Sequence, residues 1–153
     1  MKIDPAAATA STGADYPSPY DAPCAARGRQ RLGDVAGLTQ FGVNRLTLPP
    51  GAWSSQRHWH TAEDEFMIVL SGEVVLVEDG GETVLRPGDC AGWKAGVADG
   101  HHLQNRSAAD AVVLEVGGRH PATDTVDYPD LDLVAHPNEV GYRHRDGRRY
   151  PAP

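Results

Sequence analysis

The chain has 153 residues, enough for one domain, and carries a net charge of −7 from 21 acidic and 14 basic side chains. That balance excludes a general nucleic-acid-binding domain, which needs a basic face to neutralise phosphates. Two cysteines, Cys24 and Cys90, are too few for a disulfide framework, and no window of eighteen apolar residues offers a membrane span.

The first 30 or so residues are rich in Ala, Ser, Pro, Gly and Thr. Asp4 and Pro5 interrupt any apolar leader, so the reading is a cytoplasmic protein with an irregular N-terminal arm over residues 1–35. Twelve of the 14 basic residues are arginine and alanine is frequent, a composition that points to a GC-rich bacterial genome.

From residue 38 the texture changes to short extended runs. LTQFGVNRLTL alternates and ends at the turn Pro49-Pro50-Gly51, and AWSSQRHWH follows. FMIVL (66–70) is closed by Ser71-Gly72, and VVLV (74–77) by Asp79-Gly80-Gly81. Residues 83–85, 90–93, 101–105 and 111–116 complete about eight strands. Turn signals every eight to twelve residues predict an all-β sandwich or barrel over residues 36–120, without the helices of a βαβ fold. Residues 121–153 read as a polar tail packing on or near it, with YPDLDLV able to add an edge strand. Four arginines near the end read as a solvated basic segment.

The chemistry centres on His58-Trp59-His60. Residues two apart on a strand share a face, so the two imidazoles project side by side, with Gln56 on the same face. Glu65 begins the next strand, with Met67 and Val69 alternating behind it. Two neutral nitrogens and one anionic oxygen suit a divalent transition metal. Gln56 and Met67 are the candidate substrate contacts, and Met67 and Val69 also suit the interior filling. The rings of Trp53, Trp59 and Trp93 are expected on the outer face or against a second subunit. Cys90 is expected in the core, and His120, His136 and His144 on the surface.

Spacing extends the pattern. Four residues separate His60 from Glu65, and six separate Glu65 from Gly72. A second block runs from Gly88 through Gly96 to His101 and Asn105. With Gly51, these positions resemble the two motifs of the cupin superfamily. There are two departures. Lys94 replaces a usual proline, and four residues rather than two separate Gly96 from His101. The wider run over residues 38–118 is similar to small single-domain bacterial cupins. The resemblance implies a jelly-roll barrel (a double-stranded β-helix) with irregular arms, and a metal held by His58, His60, Glu65 and His101. His102 is the alternative to His101, because one residue of slip exchanges their faces. His101 is preferred because it keeps three residues before Asn105 and turns Leu103 inward.

Four such ligands leave one or two coordination positions open, as a catalytic ion needs. The resemblance therefore implies a metal-dependent enzyme acting on a small, oxygen-rich molecule, of dioxygenase, isomerase or lyase type. Zn, Mn, Fe(II) or Ni would serve, and no catalytic acid or base can be named. The rival reading is a non-catalytic small-ligand binder or sensor. The apolar set Phe66, Ile68 and Leu70 predicts a homodimer.

Overall fold

The structure, a computed structural model, describes residues 1–151. The N-terminal arm carries strands Ala10–Thr12 (β1) and Gly28–Arg31 (β2), followed by a single helical turn, Leu32–Val35. The central strands are Phe41–Leu48 (β3), Trp59–His60 (β4), Glu65–Ser71 (β5), Val74–Glu78 (β6) and Gly81–Leu85 (β7). Cys90–Trp93 (β8), His102–Gln104 (β9), Ala111–Gly118 (β10), Val126–Tyr128 (β11) and Leu133–Ala135 (β12) follow. They pair as a six-stranded sheet, β1-β2-β3-β10-β5-β8, and two three-stranded sheets, β12-β11-β4 and β7-β6-β9. All pairings are antiparallel.

Alternation sets which side chains meet inside. Leu46 and Leu48 of β3, Met67 and Val69 of β5, and Ala111 and Val113 of β10 are buried on one face of the large sheet. Val74, Leu76, Leu85 and Leu103 close the same core from the other side. Each fully buried aliphatic side chain contributes roughly 1.5–3 kcal/mol. Gly72, between β5 and β6, is required twice over. Its φ is +76°, and a Cβ there would lie 2.5 Å from the Asp110 carbonyl oxygen.

The arms, expected to be irregular, each supply two short strands. β2 pairs with β3, and β11 pairs with β4. YPDLDLV forms the β11–β12 hairpin. The arms meet in a second cluster of Tyr16, Cys24, Tyr128 and Leu133. Apart from YPDLDLV, neither arm has enough apolar alternation to announce a strand, so long-range pairing supplies what local propensity lacks. The four arginines near the end are not simply solvated. Arg143 and Arg149 face Glu139, Arg145 faces Asp127, and Arg148 faces Asp146.

Cys90, expected in the core, lies outside it. Cys24 of the arm is buried and Cys90 is exposed. Cys90 pairs with Ile68 on the outward parity of the sheet, whereas its neighbour Ala91 pairs with inward-facing Met67. One step along a strand reverses the face, and the apolar texture around Cys90 conceals that parity.

Candidate metal centre

His58 and His60 project from the segment entering β4, whose period-two geometry holds from residue 58 onward. His58 sits opposite His101 in an antiparallel bridge. Glu65 opens β5, opposite Trp93 of β8. The extra residues between Gly96 and His101 are absorbed in a loop outside any strand, so the ligand spacing shifts without moving His101 from the site.

One oxygen gathers the cluster. Glu65 Oε2 lies 3.8 Å from His58 Nε2, 3.6 Å from His60 Nε2 and 2.9 Å from His101 Nε2. The donor atoms of His58, His60 and Glu65 all lie within 4.8 Å of one another. Metal–ligand bonds near 2.1 Å place neighbouring donors about 3–3.5 Å apart, so small side-chain shifts would bring these atoms onto one ion. His102 is elsewhere. Its Nδ1 faces the Ser55 carbonyl at 2.9 Å, and its Nε2 faces Gln104.

The far nitrogens set the tautomers. His60 Nδ1 lies 2.6 Å from Asp124 Oδ2, His58 Nδ1 lies 2.9 Å from the Gln56 carbonyl, and His101 Nδ1 lies 3.3 Å from the Asp99 carbonyl. These partners can only accept, so each favours a proton on Nδ1, and an ion bound between the rings would meet the Nε2 lone pairs; without the ion, His101 Nε2 is hydrogen-bonded to Glu65 Oε2. Three imidazole nitrogens and a carboxylate oxygen gathered in this way suit a shared cation. Asp124 is itself held, accepting from the Ala62 backbone N–H at 2.8 Å.

The electrostatics agree. Burial disfavours the imidazolium of His58 and lowers its pKa from 6.5 to about 4. Burial would raise Glu65, but the His101 hydrogen bond and the neighbouring imidazoles outweigh it and hold the carboxyl at about 2. A neutral imidazole and an ionised carboxylate are the forms that coordinate a metal.

The cluster opens onto a cavity of about 460 Å³, a size suited to a small ligand. Met67 lines it while also filling the core. Gln56 does not line it. The amide of Gln56 donates to the Tyr20 carbonyl at 2.6 Å, and the side chain is buried. Residues 54–57 form bends, so the alternation that would place Gln56 beside His58 does not extend back to it. Trp93, expected outside, stacks on His101 with ring centroids 3.8 Å apart and planes 4° apart. Trp93 faces the cavity because it shares the inward parity of Glu65, its register partner.

Three groups of cavity residues escaped the sequence reading. Arg27, Arg29 and Arg31 line one wall from β2 and the residue before it. Their alternation, R-x-R-x-R, was the available signal, hidden in a segment that lacks apolar residues. Tyr16, Tyr128 and Tyr142 pack together at 5.5–5.9 Å between centroids, and Tyr128 stacks on His58 at 5.7 Å. They come from both arms, and no local spacing joins them. Glu115 of β10 is the third. It is half-buried beside Arg29, and burial raises its pKa although Arg29 lowers it.

The chain matches a family model described as a Cupin domain over residues 44–117. Among solved structures, a sugar phosphate isomerase of the cupin superfamily from Silicibacter pomeroyi DSS-3 is 42% identical. That alignment covers 99% of this chain and 98% of that one, with a TM-score of 0.91. A candidate sugar phosphate isomerase from Acidithiobacillus ferrooxidans is 29% identical over 84% of this chain and 82% of that one, with a TM-score of 0.72. The polyketide cyclase RemF from Streptomyces resistomycificus, 17% identical over 77% and 78% of the two chains, has a TM-score of 0.60 and shares the fold alone. No protein in the curated set matches.

Proposed function

The chain belongs to the cupin superfamily, and from that premise we propose that it is a metal-dependent enzyme that isomerises a small, phosphorylated, oxygen-rich molecule. His58, His60, Glu65 and His101 would hold one divalent transition metal, with Zn, Mn, Fe(II) and Ni all compatible with the donor set. The observation that carries this reading is the convergence of three Nε2 atoms on Glu65 Oε2, with each opposite nitrogen held by an acceptor. The name of the 42%-identical protein favours isomerase over dioxygenase or lyase chemistry.

A bound ion would polarise a carbonyl or hydroxyl oxygen of the substrate as a Lewis acid. The chain supplies the rest. Asp124 and the two backbone carbonyls hold the imidazoles in the coordinating tautomer. Trp93 fixes the plane of the His101 ring. The tyrosine trio limits water access beside His58. Isomerisation needs a group that removes a proton from one carbon and returns it to the next. The Glu115 carboxylate is suited to that work, because its raised pKa makes it a better base than an exposed glutamate. Two unpaired cysteines suit the cytoplasm, and the exposed Phe66 and Leu70 suit a homodimer.

The test combines elemental analysis with turnover. We expect about one transition metal per chain, lost in His58→Ala and His60→Ala, and aldose–ketose conversion of a sugar phosphate without oxygen uptake. Unchanged metal content in both variants would sink the metal site. Oxygen consumption would replace isomerase with dioxygenase chemistry, and metal without turnover of any substrate would leave a binding protein.

A further inference from the structure

Four arginines line the cavity, and two of them are already committed. Arg27 donates to the carbonyls of Gly13 and Ser54, and Arg119 to the Leu38 carbonyl and the Asp34 carboxylate. Arg29 is different. Its one side-chain polar contact among the described residues is Nη2 to Glu115 Oε2 at 3.4 Å, beyond the usual range for a guanidinium–carboxylate bond. Its Nε is buried without a partner among the described residues. Leaving a buried guanidinium N–H unpaired costs free energy that a ligand can recover. Arg31, exposed at the cavity wall, and Asn44, half-buried beside it, make no side-chain hydrogen bond among the described residues.

The register makes these groups one site. Arg31 is opposite Asn44, Asn44 is opposite Glu115, and Glu115 is opposite Met67, a row across β2, β3, β10 and β5. Arg29 is two residues along β2 from Arg31, on the same face. The neighbouring row runs Gly42, Gly117, Glu65, Trp93, and so includes the metal ligand Glu65. With strands about 4.8 Å apart and same-face residues about 6.8 Å apart, Arg31 and Glu65 are about 16 Å apart along the sheet. Their side chains take up more than half of that, which leaves room for a short carbon chain.

The geometry points to a phosphate subsite formed by Arg29, Arg31 and Asn44, which anchors one end of the substrate while its hydroxyl and carbonyl oxygens face the histidine cluster. This deepens the isomerase reading and rests on it for the role of the cavity. Two guanidinium groups on β2 and an amide on β3, all lining the cavity, suit the three terminal oxygens of a phosphate ester. A carboxylate would be satisfied by one arginine. Glu115 keeps Arg29 in place without using its buried Nε.

Calorimetric titration of the metal-free protein with inorganic phosphate tests the subsite. The expected result is saturable binding, weakened at least tenfold in Arg29→Gln and in Arg31→Gln and partly kept in Arg29→Lys. Arg45→Gln, on the opposite face of β3, and His60→Ala should bind within twofold of the parent. Circular dichroism checks folding, and the exposed Arg31 keeps the test decisive if Arg29→Gln is unstable. No saturable binding, or parent-like binding in both glutamine variants, overturns the proposal. Equal loss in His60→Ala places phosphate at the histidine cluster and also overturns it. Acetate binding as tightly as phosphate overturns the choice of phosphate. Metal content should be unchanged in Arg31→Gln, so failure of the subsite and failure of the metal reading are separate results.

Discussion

His58 and His101 face each other across a single β-bridge, the His58 N–H donating to the His101 carbonyl at 3.2 Å and the His101 N–H donating to the His58 carbonyl at 2.9 Å. Two residues 43 positions apart are thereby locked side by side, with their rings 5.1 Å between centroids. The pairing decides which of two adjacent histidines points at Glu65.

His101→Ala should therefore lose metal at least tenfold in affinity, whereas His102→Ala should keep it. The His102 ring is spent on the Ser55 carbonyl and on Gln104, so its loss should appear as lower stability. Metal titration with a competing chelator distinguishes the two, and a reversed order would show that the ligand is His102.

Asp124 acts through His60. Replacing it with Asn keeps the size but allows the amide to present its N–H, which favours the wrong tautomer of His60. Metal affinity should fall by about 10–100-fold while the fold persists. An Asp124→Asn protein with parent-like affinity would remove this residue from the site.

Acid should weaken the metal-free protein in two stages. Above pH 6.5 His58 is neutral in both the folded and unfolded chains and contributes nothing to the pH dependence. As pH falls from 6.5 to about 4, the unfolded chain takes up a proton that buried His58 refuses, and stability drops. The full shift corresponds to about 3 kcal/mol. Glu65 contributes stability that is complete above pH 4.5 and is lost as pH falls toward about 2. Denaturant melts between pH 7 and 4 should show the first stage, and His58→Gln should reduce it, leaving the part that buried His102 contributes in the same direction. Stability that is flat or rising over that interval in the parent would contradict the burial of a neutral His58.

Phe66 and Leu70 are 46% and 48% exposed on the outward face of β5, too much apolar surface on one strand to leave in water without consequence. Phe66→Lys with Leu70→Glu should convert a dimer to a monomer in sedimentation velocity, with little change in metal content. A parent protein that sediments as a monomer at micromolar concentration would remove the dimer.

The central strands were readable because their signals are local. Turns such as Asp79-Gly80-Gly81 and the alternation of Leu46 and Leu48 act within a few residues, and β3 and β5 to β10 fall close to where they were expected. Gln56 was misplaced because one bend cancels a period-two argument, and nothing within AWSSQRHWH marks where the extended run begins. Trp93 and Cys90 lie three residues apart on one short strand, so they face opposite ways, and composition alone could not tell which side was interior.

Local spacing, by itself, determined the strand-rich core, the candidate donors His58, His60 and Glu65, and the cupin resemblance that implied His101, because motif spacing and side-chain period are properties of neighbouring residues. Only the tertiary structure decided what surrounds them. Asp124 reaches His60 across 64 positions, Arg29 meets Glu115 across 86, and Tyr16 joins Tyr128 and Tyr142 from the opposite end of the chain. Such contacts depend on the closure of long loops and the pairing of distant strands, which leave no period in the sequence to read.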